Sequence, residues 1–197
     1  MSWFRSLCVA IVAAGVVGRS DAHEVPAPGT EATSPYRPYE TLIGAWDVGQ
    51  AGRPAQLVLR FGWGPAHSTI TYAAAELTPN GERPHFDGVL MWNGATHALD
   101  TLVMLDLSPG ASIQEQGAFA LQPDGSFVRD ITATYSRGAP LPTGGTADAA
   151  GARFRFRQTM TPDGADRLRT SVMRQTADGG WVATFPGSDA LVMVRRK

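Results

Sequence analysis

The chain has 197 residues, a formal net charge of −1 and an aromatic content of 9%. Near-balanced charge excludes the basic excess that a nucleic-acid partner requires. The single cysteine, Cys8, lies so close to the amino terminus that the rest of the chain has no disulfide framework and no thiol chemistry.

Arg5 and the amino terminus make a basic start, and Leu7 to Val17 is an apolar run of signal-peptide length. Ser20-Asp21-Ala22 then puts small residues at both positions that a signal peptidase reads. The run is short for a bilayer span, which takes about 20 residues, and no cysteine follows it to accept a lipid. Residues 1–22 are therefore expected to be a cleaved signal peptide. The mature protein is expected to be periplasmic or secreted, without a transmembrane segment. Residues 23–38 read as a flexible tether, with Pro26, Pro28, Pro35 and Pro38 among small polar residues. The folded domain is expected over 39–197.

From Tyr39 onward no long segment keeps a 3.6-residue period. Short apolar runs recur instead, punctuated by turn signals such as Gly52-Arg53-Pro54, Pro79-Asn80-Gly81, Asn93-Gly94, Pro123-Asp124-Gly125, Pro162-Asp163-Gly164 and Asp178-Gly179-Gly180. The pattern predicts strands at 44–50, 54–63, 67–77, 83–92, 96–107, 112–121, 126–136, 152–160, 166–175 and 180–194, the last split at Pro186-Gly187. Several runs alternate. Phe154, Phe156, Gln158 and Met160 oppose Arg153, Arg155 and Arg157, and Phe86, Gly88, Leu90 and Trp92 oppose His85, Asp87 and Met91. Side chains two apart share a face, so each strand has a dry and a wet side. The expected fold class is all-β: a single antiparallel up-and-down β-barrel that removes its own edges by closing.

Leu42-Ile43-Gly44-Ala45-Trp46 puts a Gly-x-Trp at the start of the first strand. With Phe61-Gly62-Trp63-Gly64-Pro65, Gly88-Val89-Leu90-Met91-Trp92-Asn93, Asp124-Gly125 and Asp178-Gly179-Gly180-Trp181, it resembles the lipocalin-like (calycin) barrels, in particular an uncharacterised set of exported bacterial ones. The resemblance runs over roughly residues 39–197. It implies that Trp46 plugs the closed base of the barrel, with Trp63 and Trp92 at the same end. The open mouth then lies at the end carrying the turns near 51–53, 78–82, 108–111 and 177–179 and the long 137–151 connection.

Three histidines fall in the barrel. A register across Asn93-Gly94 puts His97 on the dry face beside Leu90 and Trp92, turns His85 to solvent, and leaves His67 near His97. Two imidazoles make too small a ligand set for a tight structural metal. An amino-terminal His23, created by cleavage, would sit on a flexible tether, which does not preorganise a site. Neither a metal nor another cofactor is expected. The Arg195-Arg196-Lys197 tail reads as a solvated terminus.

Parity places some polar residues on the dry face: Glu115 with Ile113 and Phe119, Arg129 with Phe127, Ile131 and Tyr135, Gln158 among the phenylalanines, and Arg174 with Leu168, Thr170 and Val172. A lone buried charge is costly, so each should have a partner or a purpose. In the fatty-acid-binding barrels, of related architecture, interior arginines anchor a ligand carboxylate, and Arg129 is the candidate for that role. The other readings have a bulge flip it outward or pair it internally with Glu115. No nucleophile elbow, zinc-binding helix or phosphate-binding glycine loop is present, and no catalytic residue is assigned.

The expected function is a monomeric exported barrel that binds a small, largely apolar and optionally acidic molecule, with Arg129, Glu115, Tyr135, Phe86, Phe154 and Phe156 at the site. Two alternatives stay open. One is an isomerase, cyclase or hydrolase that uses Glu115 as general acid or base beside Tyr135 or Arg174. The other is a filled, structural barrel that acts through its outer surface.

Overall fold

The computed structural model describes residues 34–108 and 110–197. The expected signal peptide, His23 and most of the expected tether lie outside them. Eleven strands follow one another: β1 (Gly44–Gln50), β2 (Leu57–Trp63), β3 (Ile70–Thr78), β4 (Gly81–Asn93), β5 (Ala98–Ser108), β6 (Ala111–Leu121), β7 (Phe127–Tyr135), β8 (Ala152–Pro162), β9 (Arg167–Gln175), β10 (Trp181–Ala183) and β11 (Leu191–Arg195). Each of β1 to β9 pairs antiparallel with the next, and β11 returns to pair with both β9 and β1, so the sheet closes into a barrel. The chain is thus all-β, as the alternation implies. β10 and β11 lie in succession along the same edge of β9. They form one strand interrupted around Pro186-Gly187, where Ser188 donates its hydroxyl to Val172 O at 2.8 Å.

Up-and-down connectivity sorts the turns into two ends. One carries the links β2–β3, β4–β5, β6–β7 and β8–β9, and this end is sealed. A 3-10 turn at Arg37–Leu42 lies inside it. Tyr39 packs its ring 5.6 Å from Phe119 and 5.8 Å from Phe127, and Leu42 is fully buried. Trp46 is 1% exposed. Its indole Nε1 donates to Leu42 O at 2.7 Å, so the one polar atom of a large buried ring is satisfied. Gly44 has φ +129°, and a Cβ there would sit 2.9 Å from Arg195 Nη1. Only glycine takes that backbone comfortably, which gives the Gly-x-Trp pattern its physical basis.

Two readings of the ends need correction. The carboxyl-terminal tail is not merely solvated. Arg195 stacks its guanidinium 4.3 Å over the Trp46 ring and donates to Ile43 O and Thr41 O at 2.8 and 2.6 Å, holding the lead-in turn to the barrel. Arg196 bridges Asp47 and Glu82 on the outer wall, each at 2.7 Å. The tether also ends earlier than position 38. Tyr36 is buried, donates its hydroxyl to Ser68 O at 2.5 Å and accepts from Trp92 N at 2.9 Å. Packing against Trp63 at 6.3 Å adds to this anchor. An isolated aromatic among prolines carries no periodicity, so its docking was invisible to pattern reading.

Register corrects the histidines. Trp92 pairs with Leu99, so the β4–β5 turn is longer than the two residues that Asn93-Gly94 suggested. His97 therefore falls in the turn, exposed, with φ +52°. His85 is half-buried at the opposite end, its Nδ1 3.3 Å from Glu76, because a bulge between Ala74 and Ala75 shifts the β3–β4 register. His67 stacks on Trp63 at 4.8 Å. Among the described residues no three His, Cys, Asp or Glu side chains converge as a metal site. The 137–151 connection contains no helix; Pro140 and Thr146 form a single antiparallel bridge in it.

Candidate functional site

The interior is not uniform along the barrel. Toward the sealed end Phe61, Tyr72, Leu90, Phe119 and Met160 meet Arg129 with only small gaps between them. Above them, toward the other end, lies a cavity of about 250 Å³. Its wall is mainly apolar and includes Leu57, Phe86, Leu105, Ile131, Phe156 and Val172. Thr184 and Phe185, from the interruption between β10 and β11, sit at its edge. Pairing between β4 and β5 stops at Asp87↔Met104 before either strand ends. A cleft of about 580 Å³ lies at that parting, and His85, Phe86 and Leu105 line both cleft and cavity.

Five of the six expected site residues line the cavity: Phe86, Glu115, Arg129, Tyr135 and Phe156. Phe154 stands behind them, partly buried, with its ring edge-on to Tyr135 at 5.4 Å. Strand alternation puts them there. β7 buries every second residue from Phe127 to Tyr135, and its neighbours β6 and β8 match that parity through Glu115↔Ala133 and Gln158↔Arg129.

Arg129 has its charge met inside the barrel. Its Nη2 donates to Glu115 Oε2 at 2.6 Å, and the two side chains are 7% and 17% exposed. Its Nε reaches Thr101 Oγ1 at 3.4 Å, and its guanidinium lies 5.1 Å from the centre of the Tyr72 ring. A charge-assisted bond with cation–π support in a low-dielectric surrounding is the arrangement that makes a buried ion pair tolerable. Of the readings open for Arg129, the structure adopts the internal pair with Glu115, and the side chain is buried and not flipped outward. Tyr72 was not singled out by the sequence, although the alternation Ile70-Thr71-Tyr72 carries the signal. Its hydroxyl donates to Gln158 Oε1 at 3.2 Å. Burial raises the Tyr72 pKa above that of a free phenol, so it remains a hydrogen-bond donor.

Arg174 is half-buried beside Phe156, and its Nε is buried without a hydrogen-bond partner among the described residues. Thr170 Oγ1 is the other such atom, and Thr170 lines the cavity. Tyr135 has its phenol pushed up to about 12, first by burial and then by the Glu115 carboxylate, with Arg174 opposing. The folded state therefore holds a proton that the unfolded chain releases above about pH 10. Stability should be unaffected by this group below pH 10 and should fall as pH rises toward 12. Absorbance titration at the tyrosinate band, with urea melts at pH 9 and 11.5, checks this. Tyr135→Phe should remove one late-ionising phenol and flatten the decline; an unchanged titration would contradict the assignment.

No model of a known protein family matches the chain, and no curated protein does either.

Proposed function

We propose that the protein is a binding barrel of lipocalin-like type, exported from the cell, which holds a small, largely apolar molecule in the open half of its interior. The observation that carries the reading is the contrast between the two halves: a sealed, close-packed base and an unfilled cavity of about 250 Å³ among aromatic and aliphatic side chains. Close packing is the rule in protein interiors, so an unfilled, mainly apolar cavity with a few polar groups on its wall is the kind of space that takes a small, largely apolar guest. The volume is a little below the usual range for ligand pockets, about 300–1,000 Å³. At roughly 30 Å³ per water-sized group, it accommodates on the order of eight non-hydrogen atoms. A longer ligand extends past Phe185 or into the cleft between β4 and β5.

The enzymatic alternative gains no specific support. Glu115 is engaged by Arg129, and Tyr135, its pKa raised by burial, is a weaker acid than a free phenol. The test of binding is twofold. Native mass spectrometry of the purified protein should show a non-covalent adduct of low mass, and Nile red should brighten saturably at one equivalent. A linear, unsaturated Nile red response together with a bare mass would sink the binding reading. For export, amino-terminal sequencing of the secreted or periplasmic fraction should begin at or within a few residues of His23; membrane-bound protein retaining Met1 would refute it.

A further inference from the structure

We propose that the ligand of this cavity is an amphipathic organic acid whose chain fills the cavity and whose carboxylate sits at the open end on Arg174; the proposal rests on the binding reading. β9 turns its alternate residues Thr170 and Val172 to the cavity, and Arg174 is next on that face. Across the sheet it pairs with Phe156, which lines the same wall. It stands one residue from the end of β9, at the end away from Trp46. Its Nε is enclosed and is out of a guest's reach. The outer nitrogens differ. Nη1 makes one long contact, 3.4 Å to Gln175 O. Nη2 has no hydrogen-bond partner among the described residues and is not enclosed. The charge acts on the cavity wall, since Arg174 opposes the rise in the pKa of the Tyr135 phenol.

The charges around this space leave Arg174 without an answer. Arg129 is 2.6 Å from Glu115, and the close packing on its other side leaves no room for a head group. His85 lies 3.3 Å from Glu76. Arg174 has no carboxylate within ion-pair distance among the described residues. Asp178, in the turn that follows, accepts from the Thr176 hydroxyl and the Gly180 N–H. With Arg129 and Glu115 offsetting each other, the positive charge that remains is at the open end.

A guanidinium only donates and keeps its charge at every working pH. A carboxylate accepts two of its N–H bonds in parallel, which a neutral group does not match. Tyr135, still protonated, adds a hydroxyl donor to the same wall. A head held at Arg174 directs the chain past Phe156 toward Ile131 and Leu57. The volume suits a chain of about eight carbons.

Octanoate, octanol and octylamine share one chain and differ in the head. Each is titrated calorimetrically into the purified full-length protein, freed of any carried ligand. Octanoate should bind about tenfold tighter than octanol, and octylamine weakest. Raising salt from about 0.01 to 1 M shortens the screening length from about 30 to 3 Å. It should remove much of the octanoate advantage without weakening octanol, because the head is at the solvent end. Arg174→Gln should bring octanoate down to the octanol level. Unchanged octanol affinity in that variant shows that the barrel is intact, and Arg174→Lys should keep part of the advantage. An octanoate advantage that survives Arg174→Gln, or that ignores salt in the parent, puts the head elsewhere and overturns the proposal. Equal affinity for octanoate and octanol, or a preference for octanol or octylamine, also overturns it and leaves the binding reading standing. Absence of binding by all three overturns the binding reading itself.

Discussion

Trp46→Ala should cost about 3–5 kcal/mol of folding stability, the range for truncating a large aromatic in a packed core. For a domain of this size that corresponds to a fall of roughly 6–20 °C in Tm. The loss has three sources. The indole is fully buried, its Nε1 satisfies Leu42 O, and its face carries the Arg195 guanidinium. Removing it opens a void and detaches both the lead-in turn and the last strand from the sealed end. The cost should be the same with Nile red bound or absent, since Trp46 lies outside the cavity lining. Urea denaturation monitored by circular dichroism measures it. A change within about 0.5 kcal/mol, typical of surface positions, would mean that the sealed end does not depend on this residue.

Glu115→Leu should destabilise by a comparable amount, about 3–5 kcal/mol, because it strands a buried guanidinium. Arg129→Leu should cost less. A carboxylate left alone can protonate, and Glu115 is the more exposed member of the pair, whereas arginine cannot discharge. The double variant Glu115→Leu with Arg129→Leu should regain most of the loss, since replacing both ions by apolar residues is often neutral or stabilising. A double-mutant cycle in urea reads the coupling directly. Additive single-variant costs would show that the two charges do not interact across the 2.6 Å contact. The same cycle bears on function. If the pair is a fixed part of the wall, the double variant should still bind Nile red, and with equal or greater affinity.

The cavity depends on a fold that departs from simple strand repetition at two places. The interruption at Thr184–Ala190 brings Thr184 and Phe185 to the cavity's edge. The early parting of β4 from β5 opens the wall beside Phe86 and Leu105. Both lie at the end opposite Trp46. The cavity and the least regular backbone thus coincide.

Much of this was determined by the sequence alone. Period-two alternation marked β7 and β8 nearly to the residue, because a side chain on a strand has only two faces and one of them must be dry. Glycine- and proline-bearing turns spaced the strands, and consecutive antiparallel strands with one buried face have few closures available. The same parity by itself brings Glu115, Arg129, Gln158 and the phenylalanines to one interior. What only the tertiary structure decided were matters of register and of partners far apart in the chain. One extra pair of turn residues moved His97 from the dry face to solvent, because a hairpin's loop length sets every pairing that follows it. A bulge at Ala74/Ala75 did the reverse for His85, drawing it from the solvent side into a half-buried place beside the cavity. Tyr36 and Arg195 lie at opposite ends of the domain, and nothing local in either indicates that both secure the sealed end. The internal neutralisation of Arg129, and the Thr170 hydroxyl left without a partner among the described residues, follow from distances across strands, which composition and periodicity do not carry.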